Sequence, residues 1–202
     1  MMARPNQMFE FGFYKLNFIL YLVCLVWFLL LIIAPASITP NTIDFGDEGM
    51  VGVDEQYSKI ETIQNPMVRA VYHSGDRMCH MKNSRSLFIN SNQMPYCARC
   101  VGIFFGFVIG AGIAVFFKVD LKWWLLIIGL GPIGLDGGIQ LITGYESNNL
   151  LRLITGSLAG IITMLALGLI IIELSQDIKQ WLVNRIWAKK FKSTRKNLPK
   201  NG

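Results

Sequence analysis

Apolar residues along the chain gather in four blocks, Phe18 to Ala34, Val101 to Phe117, Leu121 to Ile142 and Leu150 to Leu174, with polar stretches between them. Each block approaches the roughly 20 residues that a helix needs to cross a hydrocarbon core about 30 Å thick. A helix on the core of a water-soluble domain would show a polar stripe at a period of about 3.6 residues, and these blocks show almost none. The pattern predicts an all-α membrane protein, a bundle of about four transmembrane helices with an extracytoplasmic Cys/His-containing loop. Its expected divisions are a cytoplasmic lead (1–15), a first transmembrane helix acting as signal anchor (16–36) and an extracytoplasmic loop with the Cys/His motif (37–100). A second helix (101–118), a third (121–142), an extracytoplasmic turn (143–149), a fourth helix (150–174) and a basic cytoplasmic tail (175–202) complete the chain.

Composition agrees. Hydrophobic residues make up 52% of the 202 positions and charged residues 16%, where soluble domains carry about 25% charged residues. The net charge of +6 would suit nucleic acid, but eight of the 19 basic residues lie between Lys179 and Lys200, directly after the last apolar block. Without aromatic-basic interleaving, that placement reads as an anchor for anionic lipid headgroups, with no nucleic-acid partner. Arg4, Lys15, Lys118, Lys122 and the tail fall on one side after four crossings, which predicts cytoplasmic N- and C-termini in a multi-pass cell-membrane protein. Ala34-Pro35-Ala36 has the small-x-small form of a signal-peptidase site, but the apolar run before it exceeds a signal core, so a retained anchor is expected.

Within the loop, residues 37–63 are acidic and rich in turn formers, which predicts a mobile stretch, and residues 64–100 predict short helical or irregular pieces on the membrane surface. In the spans, Gly102, Gly106 and Gly110, together with Gly156 and Gly160, predict close helix packing. Pro132 among Gly129, Gly131 and Gly134 predicts a kink or break.

Two constellations could carry chemistry. The first is Cys79-His80 with Cys97-Ala98-Arg99-Cys100. Four such ligands suit a zinc or iron ion. A redox pair at a helix N-terminus, favoured by the macrodipole and Arg99, and a structural disulfide are the rival readings. Cys24, inside the first block, reads as a packing residue. The second constellation is Asp136 with Gln140, then Glu146, Asn148, Asn149 and Arg152. Asp136 and Gln140, four apart, share a helix face, and a carboxylate at membrane depth faces a partner or a wet cavity. Asn148 or Asn149 could cap the fourth helix. Arg152 would then lie in its first turn, beside the positive dipole end, where Asp136, Glu146 or a bound anion would offset it. A structural Asp136–Arg152 ion pair is the alternative. The predicted topology brings both constellations to one face.

Met78-Cys79-His80 with Arg85-Ser86, Gln93-Met94-Pro95-Tyr96-Cys97-Ala98-Arg99-Cys100 with Gly102, Asp136-Gly137 with Gln140, and Glu146-Ser147-Asn148-Asn149 with Arg152 and Thr155-Gly156 resemble an uncharacterised prokaryotic membrane-protein family, domain of unknown function 2085. The resemblance covers about residues 64–162. It departs at Met81, where the family commonly has Gln. It implies a small multi-helix membrane protein in which these polar residues matter, and it carries no reaction.

Three functions compete. In the first, Cys79, His80, Cys97 and Cys100 hold zinc or iron beside a pocket in which Asp136, Glu146 and Arg152 act on a lipid or lipid-linked substrate. Gln140, Asn148, Asn149 and Arg99 bind that substrate. The second is a quinone-coupled thiol oxidoreductase using Cys97 and Cys100. The third is a non-catalytic channel, transporter or assembly module. The bilayer is the expected partner, together with an anionic lipid or lipid-linked substrate, and an oligomer is compatible with each reading.

Overall fold

The computed structural model describes residues 5–47, 56–117, 119 and 121–196. Arg4, Glu48, Gly49, Gly52, Asp54, Glu55, Lys118 and Lys200, which entered the topology and loop expectations, lie outside the described residues. Four long helices dominate: α1 (Pro5–Ala36), α4 (Ala98–Phe116), α5 (Trp123–Thr143) and α6 (Asn149–Lys196). Between α1 and α4 lie two short helices, α2 (Tyr57–Ile60) and α3 (Pro66–Met78), and an antiparallel hairpin, β1 (Ser86–Ile89) and β2 (Asn92–Cys97). Each long helix contains a stretch apolar and long enough to cross a bilayer: Lys15–Ala36, Ala98–Phe116, Trp123–Thr143 and Asn149–Leu174. Phe18, Ile19, Val23 and Val26 on α1 and Ile127 and Ile128 on α5 are exposed, as expected of helices solvated by lipid.

Helices α4 and α6 meet backbone to backbone. A methyl group on Gly102, Gly106 or Gly110 would strike the carbonyl oxygens of Leu153, Ser157 and Ile161 in turn, and one on Gly156 or Gly160 would strike those of Arg99 and Ile103. In lipid, where no hydrophobic effect draws helices together, such close approach supplies the packing. The contact also fixes the site, because it runs from Gly110 up to Arg99 and so registers the first turn of α4 against that of α6. Buried Asn17 of α1 donates its side-chain amide to Gly168 O of α6 at 3.2 Å.

Helix α5 runs through Pro132 as one continuous element rather than breaking there. Proline costs one backbone bond, and Gly131 and Gly134 beside it face open space, which leaves room for local adjustment. Helix α6 likewise continues past its apolar span to Lys196, so most of the basic tail is helical.

The segment between α1 and α4 forms a cap over one end of the bundle. Helix α3 starts at Asn65, whose side-chain oxygen accepts from the N–H groups of Met67 (2.9 Å) and Val68 (3.4 Å), with Pro66 in the first turn. The hairpin turns at Asn90 and Ser91, both with positive φ (53° and 56°), the conformation that a two-residue turn of matching twist requires. Its second strand is buried from Asn92 to Tyr96. Asn92 and Gln93 tie residues 35–45 to this strand. The Asn92 oxygen accepts from Thr42 N (2.9 Å) and Ile43 N (3.0 Å), and its amide donates to Pro35 O, Ile38 O and Thr39 O. Gln93 accepts from Phe45 N at 2.8 Å and donates to Met81 O at 2.8 Å. The described part of the stretch expected to be mobile is therefore pinned, with Ile43 and Phe45 in the core of the cap beside Tyr72, Met94 and Tyr96.

Candidate functional site

Strand β2 ends at Cys97, which is also the residue preceding the first turn of α4. The Cys97–Cys100 turn therefore sits on a rigid strand-to-helix junction. Cys79 reaches it from the end of α3. A methyl on Gly75 would strike Pro95 O, so α3 lies directly on β2, and Cys79 N bonds Gly75 O at 2.8 Å as the helix stops. The three ligand sulfurs lie within 4.8 Å of one another. Cys100 Sγ is 3.6 Å from Cys79 Sγ and 3.6 Å from Cys97 Sγ. Cys97 N donates to Cys79 Sγ at 3.3 Å. Contacts with the Cys100 and Cys79 sulfurs and the N–H groups of Cys100 and Arg99 lower the pKa of the Cys97 thiol. All four cysteines are free.

The cluster can hold a metal ion. Thiolates about 2.3 Å from one tetrahedral zinc lie about 3.8 Å apart, close to the observed sulfur separations, whereas a disulfide needs about 2.05 Å. His80 is not among the clustered residues, and its side chain is exposed. The physical reason is local. Cys79 has extended backbone angles (φ −142°, ψ 148°), and successive side chains of an extended chain point to opposite sides. Cys24 lies in α1, away from this group.

From the same α4 turn, Arg99 points the other way. Its guanidinium donates to Asp136 Oδ2 and, at 3.1 Å, to Gln140 Oε1. Asp136 and Gln140 thus share a face of α5, as their spacing predicts, but the acid's partner is Arg99 and not Arg152. The carboxylate is 4% exposed and the guanidinium 25%. Gln140 Nε2 donates to Ser147 Oγ at 3.3 Å, and the same oxygen accepts from Arg152 Nε at 3.0 Å. Glu146 is paired with Arg85 at the rim, where the arginine hydrogen bond and charge hold its carboxyl below the usual range. Asn148 caps α6, accepting from Leu151 N at 2.8 Å. Asn149 donates to Ser86 O of the hairpin at 3.1 Å. All the proposed site residues therefore lie at the capped end of the bundle, and a chain of bonds runs from the cysteine turn to Arg152. Arg85 and Ser147 received no role from the sequence. Both stand in the motifs quoted above, which was the available signal.

The family model described as predicted membrane protein, domain of unknown function 2085, matches residues 79–166. That segment contains the three cysteines, Arg99, Asp136, Gln140, Glu146 and Arg152. An uncharacterized protein of Methanocaldococcus jannaschii is 46% identical over 89 residues, 41% of this chain and 56% of its own length. An uncharacterized protein of Methanothermobacter thermautotrophicus is 35% identical over 88 residues, 42% of this chain and 78% of its own length. The chain belongs to this family. It spans little more than half of the first relative and most of the second, and no solved structure matches it. The family match covers the three clustered cysteines, the hairpin and the glycine contacts between α4 and α6, and leaves out α1 and α3.

Proposed function

We propose that this family member is a metal-dependent membrane protein in which Cys79, Cys97 and Cys100 hold one zinc or iron ion, beside a polar pocket that takes a lipid or lipid-linked substrate. The observation that carries the reading is the sulfur spacing of 3.6 Å, near the edge of a tetrahedral thiolate site and far from a disulfide. Three protein ligands leave a fourth position, the arrangement found where a metal polarises a ligand rather than merely bracing a loop. His80 could occupy that position only by turning back toward Cys79.

Placement supports a membrane-borne substrate. Leu141, Ile142 and Leu150, which flank the polar turn, are 89%, 84% and 67% exposed, so an apolar surface suited to lipid borders the network. The Asp136 oxygen engaged by Arg99 makes this acid a positioning residue, and the more exposed Glu146 is the carboxylate placed to exchange protons. Lys15, Lys122 and the α6 extension lie toward the other end of the bundle, which supports an extracytoplasmic site.

Elemental analysis of detergent-purified protein tests the metal. The expected result is roughly one equivalent of zinc or iron, lost in Cys97→Ser/Cys100→Ser, since thiolate ligation carries most of such binding. Metal below about 0.2 equivalents in the unaltered protein would remove the reading and favour the thiol oxidoreductase.

A further inference from the structure

Among the described residues Arg152 is the arginine of the network that no carboxylate hydrogen-bonds, although the charge of Glu146 reaches it at longer range. Asp136 is engaged by Arg99, and Glu146 by Arg85. Arg152 is 2% exposed, and among the described residues its hydrogen-bonding partner is the neutral hydroxyl of Ser147. Its Nη2 is buried with no partner. The Nε atoms of Arg85 and Arg99 are buried and unpartnered as well. Arg152 lies within range of the charges of both arginines, so three guanidiniums and two carboxylates share one region. Its position in the first turn of α6 adds the positive end of a helix dipole.

A guanidinium this deep costs several kcal/mol unless it is compensated. The charge of Glu146 reaches Arg152, but that carboxylate is hydrogen-bonded to Arg85 and not to Arg152. The unfilled requirement is for an acceptor with several oxygens and negative charge. Arginine forks match phosphate in both geometry and charge. The exposed apolar residues Leu141, Ile142 and Leu150 beside the polar turn suit an amphiphile, but a free ion would satisfy the same donors.

We infer that Arg152, with Arg85 and Arg99 beside it, forms an oxyanion site that takes a phosphate group. This names the substrate chemistry of the pocket proposed above, and it rests on that reading for its role though not for its evidence. The buried cation and its orphaned donor stand whether or not a metal binds nearby.

Thermal unfolding of the full-length protein in detergent, followed by tryptophan fluorescence, tests it. Inorganic phosphate is raised against chloride at constant ionic strength, and in a second arm dihexanoyl phosphatidic acid is compared with dihexanoyl phosphatidylcholine. The unaltered protein should show a saturable rise of several degrees with a phosphate-bearing probe, as binding to the folded state requires. Arg152→Gln should show no rise, and Arg152→Lys, which keeps the charge and loses the fork, should need roughly tenfold more ligand. A response to phosphatidic acid alone assigns the phosphate to a lipid headgroup. A response to inorganic phosphate as well assigns it to the ion. No saturable rise with either probe, or an equal rise in Arg152→Gln, overturns the site. Should Arg152→Gln fail to fold, the Arg152→Lys comparison decides. Metal content of the same samples separates the two ideas. Full metal with no phosphate response removes only the oxyanion site, and a phosphate response without metal removes only the metal centre.

Discussion

Asp136→Leu alone should destabilise the protein by about 3 kcal/mol, and adding Arg99→Met should restore most of that loss. The asymmetry follows from what each change leaves behind. Asp136 is almost wholly enclosed, and Arg99 Nη2 bonds its Oδ2. Removing the acid strands a guanidinium whose remaining hydrogen-bond partner among the described residues is the Gln140 amide oxygen at 3.1 Å. Breaking one partner of a buried pair costs about 3–5 kcal/mol, and the quarter exposure of Arg99 places this case at the lower end. Removing both charges leaves two apolar side chains facing one another between α4 and α5. The measurement is reversible unfolding in mixed detergent for the two single variants and the double. A double variant that loses as much as the two single variants added together would show that the two residues act independently.

Asn92→Leu should cost about 4 kcal/mol, because it removes a buried amide whose partners have no substitute. Asn92 is fully buried and serves Thr42 N, Ile43 N, Pro35 O, Ile38 O and Thr39 O. Each buried backbone group left without a partner costs about 1–3 kcal/mol, reduced where water can enter. The effect should be local as well as global. Residues 38–45 should become cleavable by added protease while the four spans stay protected. A loss under about 1 kcal/mol, with this segment still resistant, would mean that apolar packing of Ile43 and Phe45 holds it.

The two residues illustrate what the sequence could disclose. The four spans were legible because hydrocarbon demands long apolar runs, and the small-residue rows of α4 and α6 were legible because close approach leaves no room for a side chain. Boundaries were less so. Helix α4 begins at Ala98 rather than 101, since Arg99 interrupts the apolar run while lying in its first turn. The hairpin was missed. Its turn is Asn90-Ser91 rather than Asn-Gly, and its buried strand opens with two amides where alternation calls for apolar residues. Spacing placed Asp136 and Gln140 on one face but could not say which arginine that face would meet. That depended on the register of α4 against α6, which is set by glycine contacts between distant segments. Residue types suggested that Cys79 and His80 share one ion, although neighbours would have to curl onto it, and the extended backbone at Cys79 turns the two side chains apart.

The most direct test of the metal-thiolate centre is X-ray absorption at the K-edge of the metal that copurifies with the protein. Three sulfur neighbours at about 2.3 Å, with one lighter atom completing the shell, are predicted. A shell of oxygen and nitrogen alone, with Cys97 and Cys100 recovered as a disulfide, would contradict it.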